Sequence, residues 1–250
     1  MEQAIIVGGT TGIGKATAAL LLQDGIEVII LGRPNKNGDA VKRVLAQKGK
    51  VRFVGIDLMN TKAVQKFIEE LKHIAPNIKY LVNSAGYFSP KPFLEHSPEE
   101  YDYYHNFNKA FFFLTQAVAK QMKANGGGAI VTIGSMWAKQ AIKATPSSAY
   151  SMAKAGLHTL TQHLAMELAD YNIRVNAVSP AVVVTPIYSA FIERDKIEET
   201  LQGFNNFHPI GRVGRPNDVA ATIHFLLTDK CAWITGAIWD VDGGVMAGRN

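Results

Sequence analysis

The 250 residues predict an α/β fold: a doubly wound parallel sheet of about seven strands, with helices on both faces, in a single domain spanning 1–250. Three observations predict it. Short β-rich apolar runs alternate with amphipathic segments of helical length, a pattern that forces parallel strands joined by crossover helices. The length suits one large domain with a substantial core, and no repeat, low-complexity tract or linker divides the chain. The glycine-rich and polar stretches follow strand candidates, which is where open α/β sheets bind ligands.

The first strand candidate, 4–7, runs into Gly8-Gly9-Thr10-Thr11-Gly12-Ile13-Gly14, and a helix begins near Ile13. Glycines there allow a tight turn and let a pyrophosphate approach backbone N–H groups at the positive end of the helix. The spacing, G-x-x-x-G-x-G, departs from the commoner G-x-G-x-x-G fingerprint, and a simple tight turn is the competing reading. The second candidate, 27–31, leads into Gly32-Arg33-Pro34. An acidic residue at this point would bond the ribose 2′-OH of NAD, whereas an arginine accommodates the extra phosphate of NADP. Gly32 leaves the acidic place empty and Arg33 follows it, with Lys36 near. The expected cofactor is therefore NADP(H), with NAD(H) the alternative; a solvated loop arginine is the other reading.

The third candidate, 51–56, ends at Asp57-Leu58, where a carboxylate can accept from an adenine amino group. The fourth, 80–82, ends at Asn83-Ser84-Ala85-Gly86, small enough for a cofactor to lie against the backbone. Both stretches also fit ordinary turn chemistry. Ser97-Pro98-Glu99-Glu100 then marks a helix start: an N-cap serine, proline at the first helical position and glutamate three after the cap. The most apolar helical stretch, 110–119, is bracketed by Lys109 and Lys120 and is too short to span a bilayer.

The fifth candidate, 129–133, is followed by Ser135, and the segment from Ser148 carries Tyr150-Ser151-Met152-Ala153-Lys154. Four residues is little more than one helical turn, so on a helix the phenol and the ammonium share a face. A cation at about 4 Å in partly solvated protein is worth roughly 4 kcal/mol, nearly three pKa units, which would bring a phenol toward neutral exchange. Such pairs also arise by chance on solvated helices. After the sixth candidate, 174–178, the weakly periodic stretch 185–215 reads as a loop with one short helix, of the kind that forms lids or binding loops. The seventh candidate is 237–241.

Composition narrows the function classes. The 26 basic and 21 acidic residues leave a charge of +5 without a dense basic block, which fits anionic ligands or an incidental surface excess and predicts no nucleic-acid partner. Cys231 is the only cysteine, so no intrachain disulfide or cysteine metal cluster exists, and no metal is expected. With no signal-peptide pattern, a soluble, cytoplasmic protein without membrane partners is expected.

Taken together, these motifs resemble the short-chain dehydrogenase/reductase family in its non-extended branch. The resemblance spans the chain: the glycine turn, Asn83 to Gly86, the strand ending at Ser135, and Tyr150 to Lys154. It continues through Asn176-Ala177-Val178-Ser179-Pro180 with Thr185-Pro186, then Arg212 to Ala220 and Asp240 to Gly244. It implies a Rossmann-like fold and an oxidoreductase moving hydride between nicotinamide and a carbonyl or secondary alcohol. Its implied catalytic residues are Ser135, Tyr150, Lys154 and Asn108. The implied cofactor-binding residues are Gly8, Thr10, Thr11, Gly12, Ile13, Gly14, Arg33, Asp57, Leu58, Asn83, Ala85, Gly86, Tyr150, Lys154, Pro180, Val183 and Thr185.

In the implied mechanism Ser135 orients the substrate oxygen, Tyr150 exchanges the proton, Lys154 lowers the phenol pKa and holds the ribose, and Asn108 holds a relay water. The chain departs from the family pattern at Val7, Ser84, Gly134 and Ala181, and its Ser135 to Tyr150 interval is longer than usual, with Ser147 and Ser148 as poorer alternatives for the hydroxyl. A cofactor-binding regulator or scaffold without chemistry is the alternative function, and an epimerase or dehydratase of the extended branch a further one. The substrate pocket is expected from 87–96, 136–145 and 188–208. Trp137, Phe191, Phe204 and Phe207 would make it apolar; Lys139, Lys143, Arg194 and Lys196 would instead draw an acidic substrate. His96, His105 and His208 read as surface or packing residues. The resemblance also implies a homotetramer or homodimer pairing helices 97–122 and 148–171, with the C-terminal strand region as a second interface.

Overall fold

A computed structural model describes residues 1–248, apart from the side chain of Lys36. Strand β1 (Gln3–Val7) is buried at every position and lies between β2 (Glu27–Gly32) and β4 (Ile78–Asn83). Beyond β2 comes β3 (Val51–Gly55); beyond β4 come β5 (Gly128–Ile133), β6 (Ile173–Pro180) and β7 (Ile238–Val241). The order is β3-β2-β1-β4-β5-β6-β7 and every pairing is parallel, as the apolar runs predict. Strand ends differ from the sequence reading by a few residues. The fourth strand, read as 80–82, starts at Ile78, whose partner is Gln3 of β1.

Side-chain alternation divides the core into two layers. Ala4 and Ile6 pack with Leu21 of α1 (Gly12–Gln23), Leu45 of α2 (Lys36–Leu45) and Ile223 of α7 (Pro216–Leu227). Ile5 and Val7 pack with Phe67 of α3 (Thr61–Ile74), Phe111 and Leu114 of α4 (Pro98–Ala124) and Leu157 of α5 (Ser148–Leu168). Each fully buried side chain of this size contributes about 1.5–3 kcal/mol of transfer free energy, which fixes both helical layers against the sheet.

Helix α4 opens on the expected capping box: Ser97 Oγ accepts from the Glu100 N–H at 3.3 Å and Glu100 Oε2 accepts from the Ser97 N–H at 2.9 Å. Among the described residues no helix is long and apolar enough to cross a membrane. The excursion after β6 holds α6 (Ile197–Gln202) and two 3-10 turns, Pro186–Ala190 and Asn205–Phe207, more order than a loop with one helix. Its own small core of Val182, Ile197, Leu201 and Val213 accounts for that order. Strand order reverses between β1 and β4, which opens a crevice at their carboxyl ends.

Candidate active site

A cavity of about 850 Å³ fills this crevice, within the size range of small-molecule and cofactor sites. At its centre the chain leaves β1 through Gly8, whose φ of +84° disfavours a side chain and whose Cβ would meet the Ala85 nitrogen at 2.5 Å. A Cβ on Gly14 would lie 2.4 Å from the Gly8 carbonyl oxygen, so the turn folds tightly onto the first turn of α1. Thr11 caps that helix in extended conformation without a side-chain hydrogen bond, and no acidic residue sits in the first turn. The positive helix end is thus presented to the cavity, whose wall includes Gly8, Thr10, Thr11, Gly12 and Ile13. Gly14 lies behind that wall.

Toward β2 and β3 the cavity is lined by Arg33, Asp57 and Leu58. A Cβ on Gly32 would meet Thr10 Cγ2 at 2.6 Å, so Thr10 occupies the space from which an acidic side chain would project. Asp57 lines the cavity, and its Oδ1 accepts from the Met59 N–H at 3.0 Å to close the turn. Arg33 is exposed, and the Lys36 side chain lies outside the described residues. Tyr103 senses both charges: burial pushes its phenol up, Arg33 draws it down and Asp57 raises it. Ala85 and Gly86 line the cavity after β4. Asn83 does not. It is buried behind the wall and donates to Thr115 Oγ1 at 2.9 Å and Thr132 Oγ1 at 3.4 Å, which ties β4 to α4 and β5.

The reactive groups meet at the end of β5. Ser135, extended at φ −169°, accepts from the Trp137 N–H at 3.2 Å and hydrogen-bonds the phenol of Tyr150. Ser147 instead stands at the N-cap position of α5 without a side-chain cap, its hydroxyl 3.4 Å from that of Ser151, and neither it nor Ser148 lines the cavity, so Ser135 is the hydroxyl brought to the phenol. Lys154, one turn along, donates from Nζ to the Ile133 carbonyl at 2.7 Å, and that nitrogen lies 5.7 Å from the Tyr150 ring centroid.

The electrostatics differ from the simple pair read from sequence. Burial pushes the Tyr150 phenol up to about 12, opposed by the Ser135 hydrogen bond, while burial draws Lys154 down to about 8. Desolvation dominates both shifts, and the ammonium donates to the Ile133 carbonyl rather than to the phenolic oxygen. Asn108 stands outside the cavity wall and donates from Nδ2 to the Ala153 carbonyl at 2.8 Å, joining α4 to α5 beside Lys154. Pro180, Val183 and Thr185 close the cavity on the β6 side.

The arrangement fits a nicotinamide dinucleotide: a glycine cradle that a Cβ would fill, a bare helix N-terminus for pyrophosphate and a cation beyond β2.

Sequence reasoning missed two neighbours of this centre and placed a third only within the pocket segment 87–96. Tyr104 lies buried 5.9 Å from Tyr150, ring centroid to centroid, and Phe88, of that segment, lies 4.8 Å away. The spacing of Tyr104 and Asn108, four apart on α4, was the available signal for the first; for Phe88 the segment was read but not the ring's place against Tyr150. His158 is buried four residues after Lys154, and burial, helped by Lys139 and Lys154, pulls its pKa to about 4. Its signal was paired: histidine on that helical face and Gly134 where the family pattern has serine. Of the cations weighed for an acidic substrate, Arg194 lines the cavity, whereas Lys139 pairs with Asp240 at 2.7 Å and Lys196 with Glu193 at 2.6 Å.

A family model described as enoyl-(acyl carrier protein) reductase matches residues 7–246. The chain is 35% identical over 245 residues to the NAD-dependent glycerol dehydrogenase of Listeria innocua, covering 96% of this chain and 92% of that protein. It is 34% identical to the 3α-hydroxysteroid dehydrogenase of Mediterraneibacter gnavus, covering 96% and 95%. A crystal structure of a candidate NAD(P)-dependent gluconate 5-dehydrogenase from Beutenbergia cavernae, with NADP bound at low occupancy, superposes with a TM-score of 0.89 at 30% identity, covering 99% of this chain and 97% of that one. With the family model matched along nearly the whole chain and the fold shared throughout, the chain belongs to the short-chain dehydrogenase/reductase family of NAD(P)-dependent oxidoreductases.

Proposed function

We propose that the protein is an NADP(H)-dependent oxidoreductase in which Tyr150 exchanges a proton with the substrate oxygen while carbonyl and secondary alcohol interconvert. The observation that carries this reading is the meeting of Ser135, Tyr150 and Lys154 in the cavity that continues to the glycine turn. Bound NADP(H) supplies or accepts the hydride. Ser135 holds the substrate oxygen against the phenol, an orienting contact of a kind that lowers barriers by several kcal/mol. Tyr150 donates its proton in reduction and accepts it in oxidation. Lys154, anchored on the Ile133 carbonyl, holds the ribose and favours the phenolate; Asn108 positions the relay water between α4 and α5.

The glycine turn, with Gly8, Thr10, Thr11, Gly12, Ile13 and Gly14, holds the pyrophosphate. Asp57 and Leu58 receive the adenine, Ala85 and Gly86 the adjoining ribose, with Asn83 bracing them from behind. Pro180, Val183 and Thr185 hold the nicotinamide side. Arg33 selects the 2′-phosphate, supported by the filling of the acidic position by Thr10. The relatives' names span polyol and alicyclic alcohols, so the reaction class is common to them and the substrate is not. We also infer a cytoplasmic homodimer or homotetramer; a lone buried Cys231 suits a reducing compartment. Exposed Phe112, Phe113, Met152 and Met166 on α4 and α5 supply an apolar surface for pairing.

Replacing Tyr150 with Phe tests the reading. NADPH affinity is expected to stay within about threefold while kcat falls by about 10²–10⁴, the usual contribution of a positioned acid. Unchanged turnover would refute the role of Tyr150, and tight NADPH binding without turnover of any carbonyl or alcohol by the unaltered protein would favour a binding module. Run beside it, NADPH is expected to exceed NADH in kcat/KM, with Arg33→Ala removing about 10–100-fold of that preference, as for a charged hydrogen bond.

A further inference from the structure

We propose that the substrate is an apolar, ring-bearing ketone or secondary alcohol rather than a polyol, a sugar or a keto acid. The inference rests on the reaction proposed above and concerns the half of the cavity beyond Tyr150. Phe88 is the hub of that half. Its ring centroid lies 4.8 Å from that of Tyr150, 5.8 Å from Phe191, 6.1 Å from Tyr188 and 6.2 Å from Trp137, every pair edge-to-face. All five rings line the cavity, so a substrate carbonyl that reaches the Tyr150 hydroxyl carries its substituents against aromatic surface.

Tyr188 lines the cavity with its phenol oxygen toward the Val183 backbone and so presents ring carbon to a ligand. Tyr104 stands outside the cavity wall and spends its hydroxyl on Ser89, donating to the carbonyl at 3.0 Å and accepting from the N–H at 3.1 Å. The carboxylate and carboxamides lining the cavity, Asp57, Asn35 and Asn37, belong to the β2 and β3 end, with Arg33. Beside Ser135 the polar groups of the substrate half are the hydroxyls of Thr145 and Ser189, the phenol of Tyr87 and the buried, unpartnered indole N–H of Trp137, set among five aromatic rings. A triol bound against those ring faces would leave hydroxyls without partners, and each such loss costs about 1–3 kcal/mol.

An acidic substrate is no better served. Lys139 and Lys196 are held in ion pairs with Asp240 and Glu193, Lys143 does not line the cavity, and Arg194 lines it from an exposed position where water screens its charge.

The test measures kcat/KM with NADPH for cyclohexanone, acetophenone, dihydroxyacetone and pyruvate, with calorimetric binding of each compound to the NADP⁺-loaded protein. The cyclic and aryl ketones are expected to exceed dihydroxyacetone and pyruvate by at least about 100-fold, within what apolar and unpaired polar contacts discriminate. Phe191→Ser is expected to lower kcat/KM for the ring ketones about tenfold, mainly through KM, and Arg194→Ala to change it less than about threefold. Comparable or better turnover of dihydroxyacetone or pyruvate would overturn the substrate class and leave the reaction standing. Binding of ring ketones without turnover would overturn the reaction and leave the class standing. Failure to bind or turn over any ring ketone would overturn the class.

Discussion

Gly134 and His158 form one steric unit beneath the reactive groups. A Cβ on Gly134 would stand 1.9 Å from His158 Nε2 and 2.4 Å from its Cδ2, so this backbone position accepts no side chain while the imidazole is there. The same short stretch carries the Ile133 carbonyl that holds Lys154 and the Ser135 hydroxyl that meets Tyr150. Gly134→Ala is expected to destabilise the fold by about 1–3 kcal/mol, the usual range for overpacking, as read from urea unfolding midpoints. His158→Ala also destabilises, by opening a cavity. The double variant, in which the new methyl enters the space the ring vacates, is expected to lose at least about 1 kcal/mol less than the two single losses combined, since residues in contact couple by 0.5–3 kcal/mol. Additive losses would show that the ring and the glycine do not share that space.

Helix α4 carries a comparable argument at the scale of an element, because it supplies Tyr104 and Asn108 to the centre and depends on its cap for its first turn. Ser97→Ala removes one arm of the capping box and is expected to cost about 1 kcal/mol in thermal or urea unfolding, with little change at saturating substrate. A loss below about 0.3 kcal/mol would mean that Pro98 and the packing of Tyr104 set the helix start without the cap. This element was legible in the sequence because its signals are local, as were the strand–glycine turn–helix unit and the alternating runs that became β1 to β7. Less was legible where contacts are distant. The extra turns around α6 rest on Val182, just before the excursion, and Val213, near its end; the aromatic cluster around Phe88 joins four parts of the chain; and Asn83, read as a cofactor contact, turns inward because Thr115 and Thr132 arrive from other elements. The Tyr150 to Lys154 spacing gave the shared helical face but not its burial, and burial reverses the direction of the phenol's shift.

For the whole molecule, the doubly wound topology sends the ligand-binding loops to one edge of the sheet and leaves α4, α5, α7 and β7 with outward surfaces that the chain itself does not cover. Two apolar patches lie there. One carries Phe112 and Phe113 of α4, whose ring centroids lie 5.4 Å apart; the other carries Phe225 stacked on Trp239 at 5.9 Å, between α7 and β7. The patches rest on opposite layers of the sheet, so a protomer using both joins two neighbours in different directions and closes a tetramer, whereas one using a single patch stops at a dimer. A charge introduced into a buried apolar contact goes unpaired and opens it. In light scattering on eluted protein, Phe113→Glu and Trp239→Glu are each expected to reduce a tetramer to dimers, and together to monomers. If the unaltered protein is a dimer, only one of the two substitutions should dissociate it, and that substitution identifies the patch in use. A monomeric unaltered protein at micromolar concentration would refute the assembly, leaving both patches as exposed apolar surface.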